Sequence, residues 1–274
     1  MTSRIVYTPS EGSRAAGSPR RILYRVAIAG AFPLLAIGIV YLLRLPSLQV
    51  REITFTGLET LEEAALHARI TAILGGAHAF FLPRSSYFLV ERDAIARNLH
   101  KEFPRIAAVS VATQFPDTMY ISIVERKFWG IFCNSTQSSS SAGCAYIDAS
   151  GFAYDKAPEP QGALILTVHG DGREATVGDF AVEESIMERL RFFSDEIPKA
   201  AGTRIIAYEI RSRVPTEIRA RTADGFTLIL KRDDDFMNVF RVLGKVLDEE
   251  IGEKRSRLDY IDLRFGNKMF YKLK

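Results

Sequence analysis

Reactive side chains are scarce in this chain: four histidines, two cysteines and one tryptophan in 274 residues. His67, His78, His100 and His169 are scattered, and none falls in an H-x-x-x-H pair or a nucleophile-elbow motif. Cys133 and Cys144 have no histidine near them, so they do not supply the four ligands of a zinc site. Gly75-Gly76 lacks the Lys-Ser/Thr of a phosphate-binding loop. The acidic run Asp233-Asp234-Asp235 has a simpler explanation than a cation site, namely a helix N-terminus that favours negative charge. A formal charge of +3, with no Lys/Arg stripe interleaved with aromatics, gives no case for nucleic acid. The expectation is a chain with no catalytic residues, no metal, no cofactor and no nucleic-acid partner.

A long uncharged run is what the chain does have. Val26–Leu43 carries no charge and lies between Arg25 and Arg44. About 20 apolar residues cross the ~30 Å hydrocarbon layer as a helix, and Ile22–Tyr24 and Leu45 extend the run towards that length. The run exceeds the ~7–15 apolar residues of a cleaved signal, and no small-x-small site follows Leu45. An uncleaved signal anchor over residues 22–45 is therefore expected. Arg4, Arg14, Arg20, Arg21 and Arg25 precede the span against Glu11 alone, while Glu52, Glu59, Glu62 and Glu63 follow it. That asymmetry puts the N-terminus in the cytoplasm and everything after Pro46 outside. The Ser/Gly/Pro/Arg-rich tail, 1–21, is expected to be disordered. In the exported part, where oxidation is possible, Cys133 and Cys144 bracket the polar stretch NSTQSSSSAG. A disulfide there would staple a loop that cannot pack, worth about 3 kcal/mol; the alternative is two unpaired thiols in strands. Asn134-Ser135-Thr136 is a glycosylation sequon and carries little weight.

Beyond the anchor the patterns alternate between strand and helix. Leu48–Thr56 reads as a strand ending at Gly57. Thr60 and Glu63 have capping-box spacing before a helix with Leu66, Ile70 and Ile73 on one face. A second helix runs from Glu91 to Glu102, and Pro104 stops it. Ile106–Gln114 and Thr118–Lys127 form a hairpin about the turn Phe115-Pro116-Asp117-Thr118. The order is β-α-α-β-β.

That module directly after a signal anchor resembles a POTRA domain. Three segments, FFLPRSSYFLVERDAIARNL, FPRIAAVSVATQFPDTMYISIVERK and CAYIDASGFAYDKA, resemble the FtsQ/DivIB family of bacterial cell-division proteins. The family pattern falls on Pro104-Arg105-Ile106 to Val109, on Phe115-Pro116, on Glu125-Arg126 and on the Asp148–Gly151 hairpin. Arg105 stands where an aromatic is usual, and no proline follows Glu125-Arg126.

From Phe128 the chain reads as a second, mostly β domain. Strands are expected at Phe128–Cys133, Cys144–Ile147, Ala163–His169, Ile205–Arg211, Thr216–Thr222 and Phe226–Lys231, with a hairpin turn at Asp224-Gly225. Asp179 is placed to cap a helix whose face is Val182, Ile186, Leu190, Phe193 and Ile197. A last helix, capped by Asp234 or Asp235, carries Phe236, Val239, Phe240, Leu243, Val246 and Leu247. Leu258–Phe265, Gly266-Asn267 and Lys268–Leu273 close the chain as a two-residue hairpin. Asp262 and Arg264 share a face of their strand and are placed to pair. The fold class is α+β: one transmembrane helix, a POTRA-like β-α-α-β-β domain over 47–127, and a mostly antiparallel β domain with two helices over 128–274.

Lys268–Leu273 has no successor, so it is placed at a sheet edge, where unpaired N–H and C=O groups offer pairing to an extended partner. Lys268, Lys272 and Lys274 also blunt such an edge against self-association. The segment LDYIDLRFGNKMFYK resembles the end of the FtsQ/DivIB β domain. The resemblance implies a non-enzymatic, septal scaffold in the bacterial plasma membrane that recruits the bitopic division proteins FtsB and FtsL. It places partner binding on Arg264, Phe265, Asn267, Lys268, Met269 and Tyr271. The rival readings are a POTRA-containing assembly or secretion factor and a signal-anchored cell-wall enzyme.

Overall fold

A computed structural model describes residues 19–78, 82–134, 143–170, 175–211, 214, 217–232, 236–266 and 268–274, with side chains from Gly30 onward and, in the last helix, from Val239. Residues 1–18 of the N-terminal tail, Ser135 and Thr136 of the sequon, the Ser-rich stretch, the Asp233–Asp235 caps and Asn267 lie outside the described residues. The first elements are α1 (Pro19–Leu43), β1 (Glu52–Thr56), α2 (Glu63–Leu74), the short strands β2 (Ala77–His78) and β3 (Leu82–Pro83), and α3 (Arg92–Glu102). Then come β4 (Ile106–Gln114), β5 (Thr118–Glu125), β6 (Gly130–Asn134), β7 (Cys144–Ile147), β8 (Ala153–Lys156) and β9 (Thr167–Gly170). They are followed by α4 (Glu184–Ala201), β10 (Ile205–Ile210), β11 (Glu217–Thr222), β12 (Thr227–Lys231), α5 (Phe236–Lys245), β13 (Leu258–Phe265) and β14 (Lys268–Leu273).

The chain divides into two compact units, one of 1–54, 68–91 and 112–120, the other of 55–67, 92–111 and 121–274. In the first, Val50 N–H donates to the Ser85 carbonyl and Tyr87 N–H to that of Leu48, both at 2.8 Å. Residues read as the start of a strand at Leu48 thus pair with the segment after β3, and β1 proper begins at Glu52. Arg51 N–H reaches the Asp117 carbonyl at 2.9 Å, and the Phe115–Pro116 peptide is cis. Among the described residues no helix is long and apolar enough to cross a membrane. The described side chains of α1 begin at Gly30, whereas the apolar run of the sequence begins at Val26.

Strands β1, β4 and β5 form a three-stranded sheet in the order β1-β5-β4. On β5, Met119, Ile121 and Ile123 are buried and alternate with Tyr120, Ser122 and Val124, the period-two pattern of a sheet with one covered face. Leu66 and Ile70 of α2 and Ile95 and Leu99 of α3 are buried at the expected helical spacing.

In the second unit one carboxylate organises the approach to α2. Glu125, 7% exposed, accepts the backbone N–H groups of Glu59, Thr60 and Leu61 at 2.8, 2.9 and 3.0 Å, and the Thr60 hydroxyl as well. The expected Thr60–Glu63 capping box is therefore replaced: the Thr60 hydroxyl turns to a strand 65 residues away. Arg105 donates to the same hydroxyl oxygen at 2.8 Å and pairs with Asp155 at 2.5 Å, its guanidinium 5.6 Å from the Tyr154 ring. Next to Glu125, Arg126 donates to the Pro104 carbonyl and to Asp148 at 3.0 and 2.6 Å. Asp148 in turn accepts Ser150 N–H and hydroxyl and Phe152 N–H, so the turn Asp148–Gly151 is closed by its own aspartate. Burial raises the Asp148 pKa, but the bonds from Ser150 and Arg126 outweigh it and hold the carboxyl below its usual range.

The rest of this unit is a nine-stranded sheet in the order β14-β13-β12-β11-β10-β9-β6-β7-β8. It is mixed. Pairs β6/β9, β9/β10 and β12/β13 are parallel, and the hairpins β6/β7, β7/β8, β10/β11, β11/β12 and β13/β14 are antiparallel. Cys133 and Cys144 lie opposite each other on β6 and β7, Cα atoms 4.2 Å apart, and are disulfide-bonded. The core joins Ile186, Met187, Leu190, Phe193 and Ile197 of α4 with Val239, Phe240 and Leu243 of α5 and with inward residues of the sheet, among them Tyr208, Leu228 and Ile261. α4 starts at Glu184, not near Asp179. The Asp179 carboxylate accepts the next residue's N–H at 2.7 Å, and Phe180 bridges Phe152, so the chain is still extended there.

Candidate partner-binding edge

β13 enters the C-terminal hairpin with Asp262 and Arg264 on the face opposite the core. Their pairing is made: Arg264 Nε and Nη2 reach the two oxygens of Asp262 at 2.9 and 2.6 Å. Arg264 Nη1 also reaches Glu217 Oε2 at 2.5 Å, and Arg219 Nε holds Glu217 Oε1 at 2.7 Å. Glu217 and Asp262 are buried, 7% and 6% exposed, so the two arginines act as lids over carboxylates that would otherwise sit desolvated and unpaired. Burial raises the Asp262 pKa, yet the side-chain and backbone bonds from Arg264 bring it below the usual range. The hydrogen bonds to Asp262 raise the Arg264 pKa further above its already high value.

The chain turns at Gly266, whose φ of 62° is a left-handed conformation that costs glycine little. β14 then returns antiparallel to β13, with Phe265 opposite Lys268 and Ile261 opposite Tyr271. It ends the sheet, so one of its edges pairs with β13 and the other faces no strand among the described residues. Phe265 and Phe270 are each 52% exposed and meet edge-to-face at 5.2 Å. Tyr271 is 45% exposed. Lys272 reaches Asp259 at 3.1 Å across the strand pair, and Lys268 is exposed.

The residues expected to bind a partner thus divide. Lys268 and Tyr271 are exposed on the edge strand itself, and Phe265 is exposed at the end of β13 beside it. Arg264 is one-third exposed and engaged by two carboxylates, and Met269 packs against the core. Phe270 completes an aromatic pair that the sequence reading left out. Its signal was the Phe-x-x-x-x-Phe spacing across the Gly266-Asn267 turn, which brings two rings together only once the hairpin register is known.

Residues 48–126 match the family model of the POTRA domain, FtsQ-type. The chain is thereby a POTRA-bearing protein, and a POTRA domain of this type is a non-enzymatic, scaffold-type domain. The matched segment is under a third of the chain, and what it shows is a POTRA domain of the FtsQ type. No curated protein matches the chain.

Proposed function

We propose that this chain is a plasma-membrane-anchored divisome scaffold that makes no bonds itself and recruits an FtsB/FtsL-like bitopic partner through the open edge of β14. The observation that carries this reading is a terminal strand at the end of a nine-stranded sheet that carries the exposed rings of Phe270 and Tyr271, with Phe265 exposed at the end of the neighbouring strand. Such an edge accepts an extended segment by main-chain pairing, and aromatic side chains beside it supply the contact area. The family match supports the setting, since FtsQ-type proteins are septal and membrane-associated.

The anchor belongs to this proposal. α1 is 25 residues long, about 37 Å at 1.5 Å per residue, and exposes Phe32, Leu34, Leu35, Ile37, Ile39 and Tyr41. A helix apolar on all sides needs hydrocarbon around it, and the arginines before it set the N-terminus inside. POTRA-like and β domains over 47–127 and 128–274 then lie outside the cytoplasm, at the septum. Depletion in the protein's own cell, with microscopy of a fluorescent fusion, tests the reading. Filamentation with a mid-cell band is expected; normal division and a uniform membrane signal would overturn it.

A further inference from the structure

We propose that the cleft formed by α3, β4 and the turn at Phe152 docks an acidic, extended segment of a partner protein, with one apolar side chain seated on its floor. The proposal deepens the scaffold reading and rests on it. The cleft measures about 590 Å³, within the ~300–1,000 Å³ of ligand sites. Arg97, His100 and Lys101 stand at i, i+3 and i+4 on α3, so they share one helix face, and all three line the cleft. All three are exposed, and none of their side chains has an ion-pair or hydrogen-bond partner among the described residues. No carboxylate lines the cleft.

The neighbouring arginines behave differently. Arg105 and Arg126 are taken up by Asp155 and Asp148, whereas Arg97 and Lys101 on the cleft wall have no such partner among the described residues. His100 and Lys101 sit in the last turn of α3, where cations suit the helix dipole, but that does not account for Arg97 a turn earlier. Nor does it account for the floor, built from Ala108 and Val109 of β4 and the Phe152 ring, which Arg126 clamps at 3.8 Å. A simple anion has no use for that apolar floor, and an apolar ligand has none for two unpaired cations beside an imidazole. A segment with carboxylates either side of an aromatic or aliphatic residue uses both.

The test selects short random peptides displayed on phage against the full chain in nanodiscs, in parallel with an Arg97→Glu/Lys101→Glu variant whose melting temperature is confirmed unchanged. Enriched sequences should carry two or more Asp/Glu beside an aromatic or aliphatic residue. As synthetic peptides they should bind the variant about tenfold more weakly, two exposed ion pairs' worth, and weaken as salt rises. A Phe265→Ala/Tyr271→Ala variant should bind them normally, so failure of the cleft and failure of the β14 edge are read separately. Enriched peptides without acidic character, or equal affinity for the charge-reversed variant, would overturn the proposal. So would a dimer of the native chain that the reversal dissociates, or phosphatidylglycerol vesicles bound through Arg97 and Lys101 with no acidic peptide enriched.

Discussion

Replacing Glu125 with Gln removes the charge on which three backbone N–H groups and a hydroxyl converge. Burial alone would raise this carboxyl's pKa. The Thr60 hydroxyl and the N–H groups of Leu61, Glu59 and Thr60 more than offset that and lower it from 4.5 to about 2. The difference between those values corresponds to roughly 3 kcal/mol of folded-state preference for the carboxylate. Because the folded pKa is the depressed one, this stability is present above about pH 4.5 and is lost as pH falls towards about 2. A glutamine keeps the shape and one acceptor oxygen but turns an NH₂ towards donors, so about 2 kcal/mol or more should be lost at neutral pH. Hydrogen exchange by mass spectrometry on the full chain reads this locally. Peptides covering 57–62 should exchange about 30-fold faster in the variant, while those covering α4 should not change. The urea midpoint of the native chain should fall between pH 4.5 and 2 more steeply than that of the variant. Equal exchange at 57–62, or parallel pH profiles, would refute the role given to this carboxylate.

Other perturbations follow from the same kind of accounting. Arg264→Met keeps the stem but leaves Asp262 without its fork and Glu217 with Arg219 alone; a loss of about 1–3 kcal/mol should appear as a lower melting temperature. Charge reversal there, which places a third carboxylate beside two buried ones, should cost more, so edge function is better tested with Phe265 and Tyr271. Cys144→Ser opens a link between residues 11 apart and should cost about 3 kcal/mol, with reductant lowering the native melting temperature but not the variant's. Gly151→Ala forces φ of 86° on alanine and drives a methyl against the Val182 carbonyl and Met187; about 1–3 kcal/mol of destabilisation is expected in denaturant titration.

Local patterns carried the sequence reading furthest. The apolar residues at Ile186, Leu190, Phe193 and Ile197 are buried as their spacing requires, because a single helix face decides their fate. Asp262 and Arg264 pair because a strand's period of two puts them side by side. What escaped was set by residues far apart in sequence. Glu125 displaces a capping box that looked complete within four residues, since a charged acceptor of three N–H groups is stronger than a local side-chain cap. Glu217, which holds Arg264 from two strands away, has no local signal at all. The sheet is mostly antiparallel, as expected, but the parallel pairings of β9 with β6 and β10, and of β12 with β13, were not legible; hairpins announce themselves by their turns, and crossovers do not. β8, with Asp155 and Lys156 in four residues, gave too short and too charged a pattern to read as a strand.

The most direct measurement is hydrogen exchange across β14 when a purified FtsB-like partner is added to the full chain. If the partner pairs with the open edge, amides of peptides spanning 266–274 gain protection, and Phe265→Ala/Tyr271→Ala abolishes both that protection and the complex. A complex that forms with exchange at β14 unchanged would contradict the account.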